Sequence, residues 1–165
     1  MQIRAERVGD EAAIRTLTAA AFAAMPYSRG TEPAIVDALR RDGDLTLSLL
    51  AAADGAIVGH VAFSPLTIAA VDDGWFGVGP LSVAPARQRQ GIGSALLRAG
   101  LEQLETIGAR GCVLVGDPAY YRRFGFASDG RLTLAELDPN LLQWLAFGAP
   151  PPPGRVAFAP GFAAA

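Results

Sequence analysis

Val78-Gly79-Pro80-Leu81-Ser82-Val83-Ala84-Pro85-Ala86-Arg87-Gln88-Arg89-Gln90-Gly91-Ile92-Gly93-Ser94-Ala95-Leu96-Leu97 is the stretch on which the reading of this chain turns. Leu81 and Val83 mark an apolar strand, and Pro85 ends it. Beyond the loop, Ile92, Leu96, Leu97, Leu101, Leu104 and Ile107 recur at helical spacing as one apolar stripe, with Gly108 as the stop. A strand that feeds a helix through glycines aims several unpaired amide N–H groups, and the positive end of the helix dipole, at one spot. Such a spot suits a phosphate or pyrophosphate. Gly91 and Gly93 keep side chains out of the way, Arg87 and Arg89 add fixed charge, and Gln88 and Gln90 add neutral donors. The same glycines would also serve an ordinary strand-to-helix turn, and a Gly-x-Gly by itself does not decide between the two.

Upstream, Gln2 to Val8 reads as a first strand. Asp10 is an N-cap for a helix through Ile14, Leu17, Ala21 and Phe22 that ends by Pro26. Ile35, Val36 and Leu39 mark a second short helix closing at Arg40-Arg41. Leu45 to Ala53 and Ile57 to Ala70 are strands joined at Asp54-Gly55, a hairpin signal, with Ser64-Pro65 interrupting the second. Asp72-Asp73-Gly74 turns the chain into the strand that begins at Trp75. Downstream, Gly111 to Val115 is a buried strand. Asp117-Pro118 opens a short helix through Phe124, and Gly125-Phe126 begins another strand. In the tail, Leu132 to Phe147 has apolar residues at mixed spacing, Pro150 to Pro153 is an extended linker, and Arg155 to Phe158 is a last strand. The pattern is α+β, a mixed and mostly antiparallel sheet with helices on both faces.

At 165 residues the chain is expected to form one domain, residues 1–165, with a core over 1–131 and a less readable segment over 132–165. With 51% hydrophobic and 18% charged residues it is not disordered, and a net charge of −2 gives no basic stripe for nucleic acid. All fourteen basic residues are arginine, which excludes a Schiff-base or Walker-A lysine. One cysteine, Cys112, lies in an apolar run and reads as a buried structural thiol. One histidine, His60, cannot build a metal site with it, and no metal is expected. No leader pattern and no membrane-length apolar run are present, so a reducing cytoplasm is the expected setting.

Gln88-Arg89-Gln90-Gly91-Ile92-Gly93 matches the Gln/Arg-x-x-Gly-x-Gly/Ala signature of the GNAT superfamily of acyl-CoA-dependent N-acyltransferases. The chain resembles that family from the Leu81-Ser82-Val83 strand to Gly125-Phe126. The resemblance implies the GNAT fold and an N-acetyltransferase that moves an acetyl group from acetyl-CoA to an amine in a ternary complex. Leu81, Ser82 and Val83 would form the strand whose backbone groups meet the pantetheine arm, and Gln88, Arg89, Gln90, Gly91, Ile92, Gly93 and Ser94 would hold the pyrophosphate. In Tyr120-Tyr121, which stands before Gly125-Phe126, Tyr121 matches the residue that protonates the departing thiolate. Glu32 is a candidate base for the amine, from a segment that walls the acceptor site in the family; for His60 a structural role is favoured. The family's Asn-x-x-Ala stands here as Leu114 and Asp117, so that asparagine's contact is in question and Asp117 is expected to cap the helix. The alternative is a CoA-binding domain of this fold without transfer activity, serving regulation or interaction. Trp144, Leu145 and Phe147 could pack internally or form a homodimer contact. A serine hydrolase lacks its Gly-x-Ser-x-Gly, and a dinucleotide fold its third glycine, replaced by Leu96.

Overall fold

Asp54 (φ 53°) and Gly55 (φ 77°) both adopt the left-handed backbone of a type I′ turn, which closes a hairpin between β2 (Leu47–Ala53) and β3 (Ala56–Pro65). β1 (Gln2–Ala5) pairs antiparallel with β2, and β2 with β3. The computed structural model describes all of residues 1–165 and divides into two compact units. The first holds Met1–Phe63, Gly79–Gly100 and Pro160–Ala165; the second holds Ser64–Val78 and Leu101–Ala159.

In the first unit the hairpin is covered on both faces. Leu50 packs with Ile14 of α1 (Glu11–Phe22) and Val36 of α2 (Glu32–Arg41). Gly59, on the opposite face by strand alternation, lies so close to α3 (Ile92–Thr106) that an added Cβ would stand 2.8 Å from both Ile92 and Leu96. Only a glycine lets the helix approach this near. Further along, the ring of Phe63 occupies the place a side chain on Gly100 would need. The chain's final turn, Pro160–Ala163, seats Gly161 against Leu39 of α2.

β1 is shorter than the first strand expected from sequence. Asp10 accepts from the Arg7 amide at 2.7 Å and binds the Arg4 guanidinium at 2.8 Å, which turns the chain back before α1. Asp10 does sit at the N-cap, yet its carboxylate makes no capping bond to the helix. Instead it is held near pKa 2, first by Arg4 and then by the Arg7 amide.

In the second unit, the start of β5 (Trp75–Val83) pairs parallel with β6 (Gly111–Val115), and β6 antiparallel with β8 (Leu142–Ala146). The tail that had mixed spacing resolves here. β4 (Thr67–Ile68), β9 (Gly154–Ala157) and β7 (Leu132–Thr133) form a small separate sheet. Leu66, Ile68, Trp75, Val113, Leu132, Leu142 and Val156 make its core, with Trp144 packed against them. The expected strand from Ile57 to Ala70 stops at Pro65; Ala69 and Ala70 both turn to positive φ. No strand begins at Gly125-Phe126, since Gly125 (φ 99°) caps the preceding turn and only Ala127 bridges to Trp144. The apolar stripe of α3 excludes Ile107, which lies past the helix end and is 59% exposed. No helix is long and apolar enough to cross a membrane.

Gly100→Ala should destabilise the protein by about 1–3 kcal/mol, because its methyl overlaps the Phe63 ring in a filled interior. Thermal unfolding measures this, and an unchanged midpoint would mean the ring can move aside without loss.

Candidate active site

The first unit carries the strand-to-helix crossing. Past β5 the Ala84 amide bonds to Val58 O (2.9 Å), Pro85–Arg87 makes a 3-10 turn, and Arg89 (φ 62°) and Gly91 (φ 85°) both go left-handed. The helix's first bond to the loop is Ala95 N to Gly91 O at 3.0 Å. The amides of Ile92 and Gly93 come before it, among those a helix cannot satisfy from its own carbonyls. They open on the exposed loop formed by Gln88 to Gly91.

The loop's side chains divide differently from the sequence expectation. Arg87 is not a free charge: it pairs with Asp54 at 2.8 Å. Gln88 and Gln90 donate to the loop's own carbonyls, Val83 O (3.2 Å) and Ala86 O (3.5 Å), and so brace the turn. Arg89 is exposed and carries no ion pair, which leaves it as the loop's available cation. Around Gly91 no protein atom lies within 4 Å of an added Cβ, so the glycine is required by φ and not by crowding. On β5, Leu81 and Val83 are half-buried. Ser82 turns inward at 1% exposure with its hydroxyl unpartnered, leaving only its main chain for any ligand.

Glu32 belongs to α2 as its first residue, not to the loop before it. Its carboxylate accepts from Ser28 Oγ at 2.6 Å and lines a cavity of about 250 Å³ with Ala19, Phe22, Ala23, Gly30 and Pro33. Asp37 of the same helix is engaged by Arg15 (2.9 Å) and Arg40 (3.2 Å).

His60 is fully buried in a polar chain of contacts. Its Nε2 lies 2.8 Å from Ser48 Oγ, Ser48 donates to Glu6 at 2.7 Å, and Arg40 grips the same carboxylate with two bonds of 2.8 Å. A carboxylate can only accept, so the serine proton points to Glu6 and the histidine proton must sit on Nε2. Nδ1 is then a bare acceptor with no partner. Burial lowers the His60 pKa to about 4, against the pull of Glu6. Burial would raise the Glu6 carboxyl, but the bonds from Arg40 and Ser48 outweigh it and the net shift is downward. His60 is thus a neutral structural group, as the sequence favoured.

The second unit carries Tyr121. Asp117 caps α4 (Pro118–Tyr121) by accepting from the Ala119 amide at 2.9 Å, the role expected of it. Tyr121 packs edge-on to Tyr120 (4.9 Å between centroids) and against Phe126 (6.1 Å), and Arg123 lies over the Tyr120 ring at 4.2 Å. The Tyr121 ring fills the place where Gly116 would carry a side chain. Cys112 is buried, and its burial raises the thiol to about 12, far from a reactive thiolate. Two residues of this neighbourhood escaped the sequence reading. Gly116 seats the Tyr121 ring, and Gln143, 1% exposed on β8, donates to Gly116 O at 2.9 Å. A lone glutamine inside a strand of apolar residues was the available signal. No group of histidine, cysteine and acidic side chains is arranged to hold a metal.

Residues 12–126 match the model of the acetyltransferase (GNAT) family. YhbS of Escherichia coli K12, an uncharacterized N-acetyltransferase, is 42% identical over 101 residues, which span 61% of this chain and 60% of that protein. Among solved structures, a GNAT family acetyltransferase from Brucella melitensis in complex with acetyl-CoA is 51% identical, with a TM-score of 0.89 over 98% of this chain and 97% of that one. The E. coli YhbS structure in complex with CoA is 32% identical, with a TM-score of 0.89 over 98% of this chain and 91% of that one.

Between the ordinary histidine pKa and about 4, the unfolded chain holds a proton on His60 that the folded protein does not. Stability should therefore fall as pH drops from 7 toward 4, by up to about 3 kcal/mol for this group. Melting midpoints across that range should show the loss, and His60→Gln should flatten it. A pH-independent parent protein would mean that His60 is charged in the fold.

Proposed function

Because the chain belongs to the GNAT acetyltransferase family, we propose that it transfers an acetyl group from acetyl-CoA to an amine by direct attack in a ternary complex. The observation that carries this reading is the 51% identity, over 98% of the chain, to a GNAT acetyltransferase solved with acetyl-CoA. In this reading residues 1–165 act as a single acetyltransferase domain in a reducing, cytoplasmic setting, where Cys112 stays a buried thiol.

The chain's own residues fit the cosubstrate. The amides of Ile92 and Gly93, the helix dipole behind them and the unpaired Arg89 suit a pyrophosphate; the exposed Gln88 and Gln90 side chains brace the loop beside it and would add neutral donors. Gly91 sets the turn, and Ser94 follows within the helix's first turn. Leu81, Ser82 and Val83 would offer main-chain groups to the pantetheine arm, as an added strand would. Acetyl-CoA supplies an acyl group activated by its thiolate leaving group. Tyr121 would donate its phenolic proton to that sulfur as the carbon–sulfur bond breaks and the carbon–nitrogen bond forms. An ammonium must lose a proton before its nitrogen can attack, and Glu32, directly or through water, would take it. In the free protein this carboxylate accepts from Ser28, which orients it.

Titration calorimetry with acetyl-CoA, followed by thiol release with and without an amine panel, tests the assignment. Binding with amine-dependent release is expected; binding with no release from any amine would favour a CoA-binding domain without transferase activity. Gly91→Ala should weaken acetyl-CoA binding roughly tenfold, the equivalent of about 1–2 kcal/mol for a left-handed residue that gains a Cβ. Unchanged affinity would reduce the loop to a simple turn. Tyr121→Phe should lower kcat by about 100-fold with acetyl-CoA affinity preserved.

A further inference from the structure

Gly116 is held from both sides by the segment in which a 3-10 turn (Pro139–Leu141) runs into β8. Its amide donates to Leu141 O at 3.0 Å, where the backbone ladder between β6 and β8 runs out. Its carbonyl accepts from Gln143 Nε2 at 2.9 Å. Gln143 stands opposite Leu114 in the register, so its side chain shares the face of Leu114 and, two residues on, of Gly116. That is also the face on which the Tyr121 ring covers Gly116. The glutamine is 1% exposed, and its Oε1 has no hydrogen-bond partner. A half-satisfied amide in the interior is unfavourable for stability, so its placement calls for a role beyond packing.

We propose that Gln143 is a positioning residue for Tyr121: its N–H fixes the Gly116 peptide, and that peptide is the surface on which the Tyr121 ring rests. The proposal rests on the assignment of Tyr121 as proton donor for its catalytic consequence, but not for its geometry. Without the Gln143 bond the Gly116 carbonyl is free to rotate away, and the ring that lies against Gly116 moves with it. Asp117 caps the following helix through Ala119 and leaves this peptide to Gln143.

The test uses the full chain with its three tyrosines replaced by 3-fluorotyrosine, read by fluorine NMR. The Tyr121 resonance is assigned by its loss in Tyr121→Phe. Gln143→Met keeps an unbranched side chain and removes the unpartnered oxygen, which offsets the lost bond to Gly116 O, so the melting midpoint should stay close to that of the parent. The Tyr121 resonance should shift while that of the exposed Tyr27 stays. A Tyr121 resonance that does not move overturns the proposal. In thiol release, Gln143→Met should lower kcat roughly tenfold with KM for acetyl-CoA unchanged, as a misplaced catalytic group does. In the Tyr121→Phe background the same change should cost less than about twofold, since the two act as one unit. Equal losses in both backgrounds overturn the proposal. A shifted resonance with Tyr121→Phe itself silent in kcat leaves the geometry standing and removes the proton-donor assignment instead. Should Gln143→Met not fold, Gln143→Glu gives a second reading. The new carboxyl can donate to Gly116 O when protonated and cannot when ionised, so the Tyr121 resonance should leave its parent position as pH rises; a resonance fixed at the parent position throughout overturns the proposal.

Discussion

A helix cannot satisfy its own first amides, and in the first unit α3 opens that deficit onto the exposed loop of Gln88 to Gly91. Two contacts set the position of α3, and one bond fixes the strand before it. Gly59 lets Ile92 and Leu96 press against the strand, Gly100 accepts the Phe63 ring, and the Ala84–Val58 bond ends β5 at a fixed height. Between strand and helix the loop then has to reverse within a few residues, which needs left-handed backbone at Arg89 and Gly91. The glutamine amides donate to Val83 O and Ala86 O and so help to hold that reversal. Side chains that look like ligands in the sequence thus also brace the loop that carries them.

Much of this architecture is legible from local rules. Asp54-Gly55 forms the hairpin that its turn propensities demand, Asp117-Pro118 starts a helix with the aspartate as cap, and the α3 stripe up to Leu104 is buried as its spacing requires. Each depends on residues within a few positions of one another. Asp10 is taken locally, by the Arg4 guanidinium and the Arg7 amide, before it can cap α1. Arg87 fails for a different cause, since it finds Asp54 thirty-three residues away. A charged side chain's partner is set by the tertiary fold, so its availability is not written in its neighbours. The tail was hard for a related reason: β7 and β9 are two and four residues long, too short for a period to show.

Buried polar groups divide by what they are tied to. Ser48 and Glu6 draw His60 into a chain that ends in Arg40, and the result is a neutral ring fixed in one tautomer. Gln143 is tied to a single peptide carbonyl, and that peptide underlies a tyrosine ring. Equal burial thus serves rigidity in one unit and aim in the other. Burial alone does not separate a structural polar group from a positioning one; the identity of its partner does.

The arginine-only character of the chain has a consequence for the life of the protein among thioesters. Every salt bridge described above, from Arg4–Asp10 to Arg40–Glu6, uses a guanidinium, which stays protonated and is not a nucleophile in water. A lysine in the same places would expose an ε-amine to slow adventitious acylation, and each such event would erase a charge and break a pair. With no lysine in its sequence, the protein has no ε-amine to lose. Its ion pairs would keep their charge however long they stand beside an acyl donor, which is a form of chemical durability distinct from folding stability.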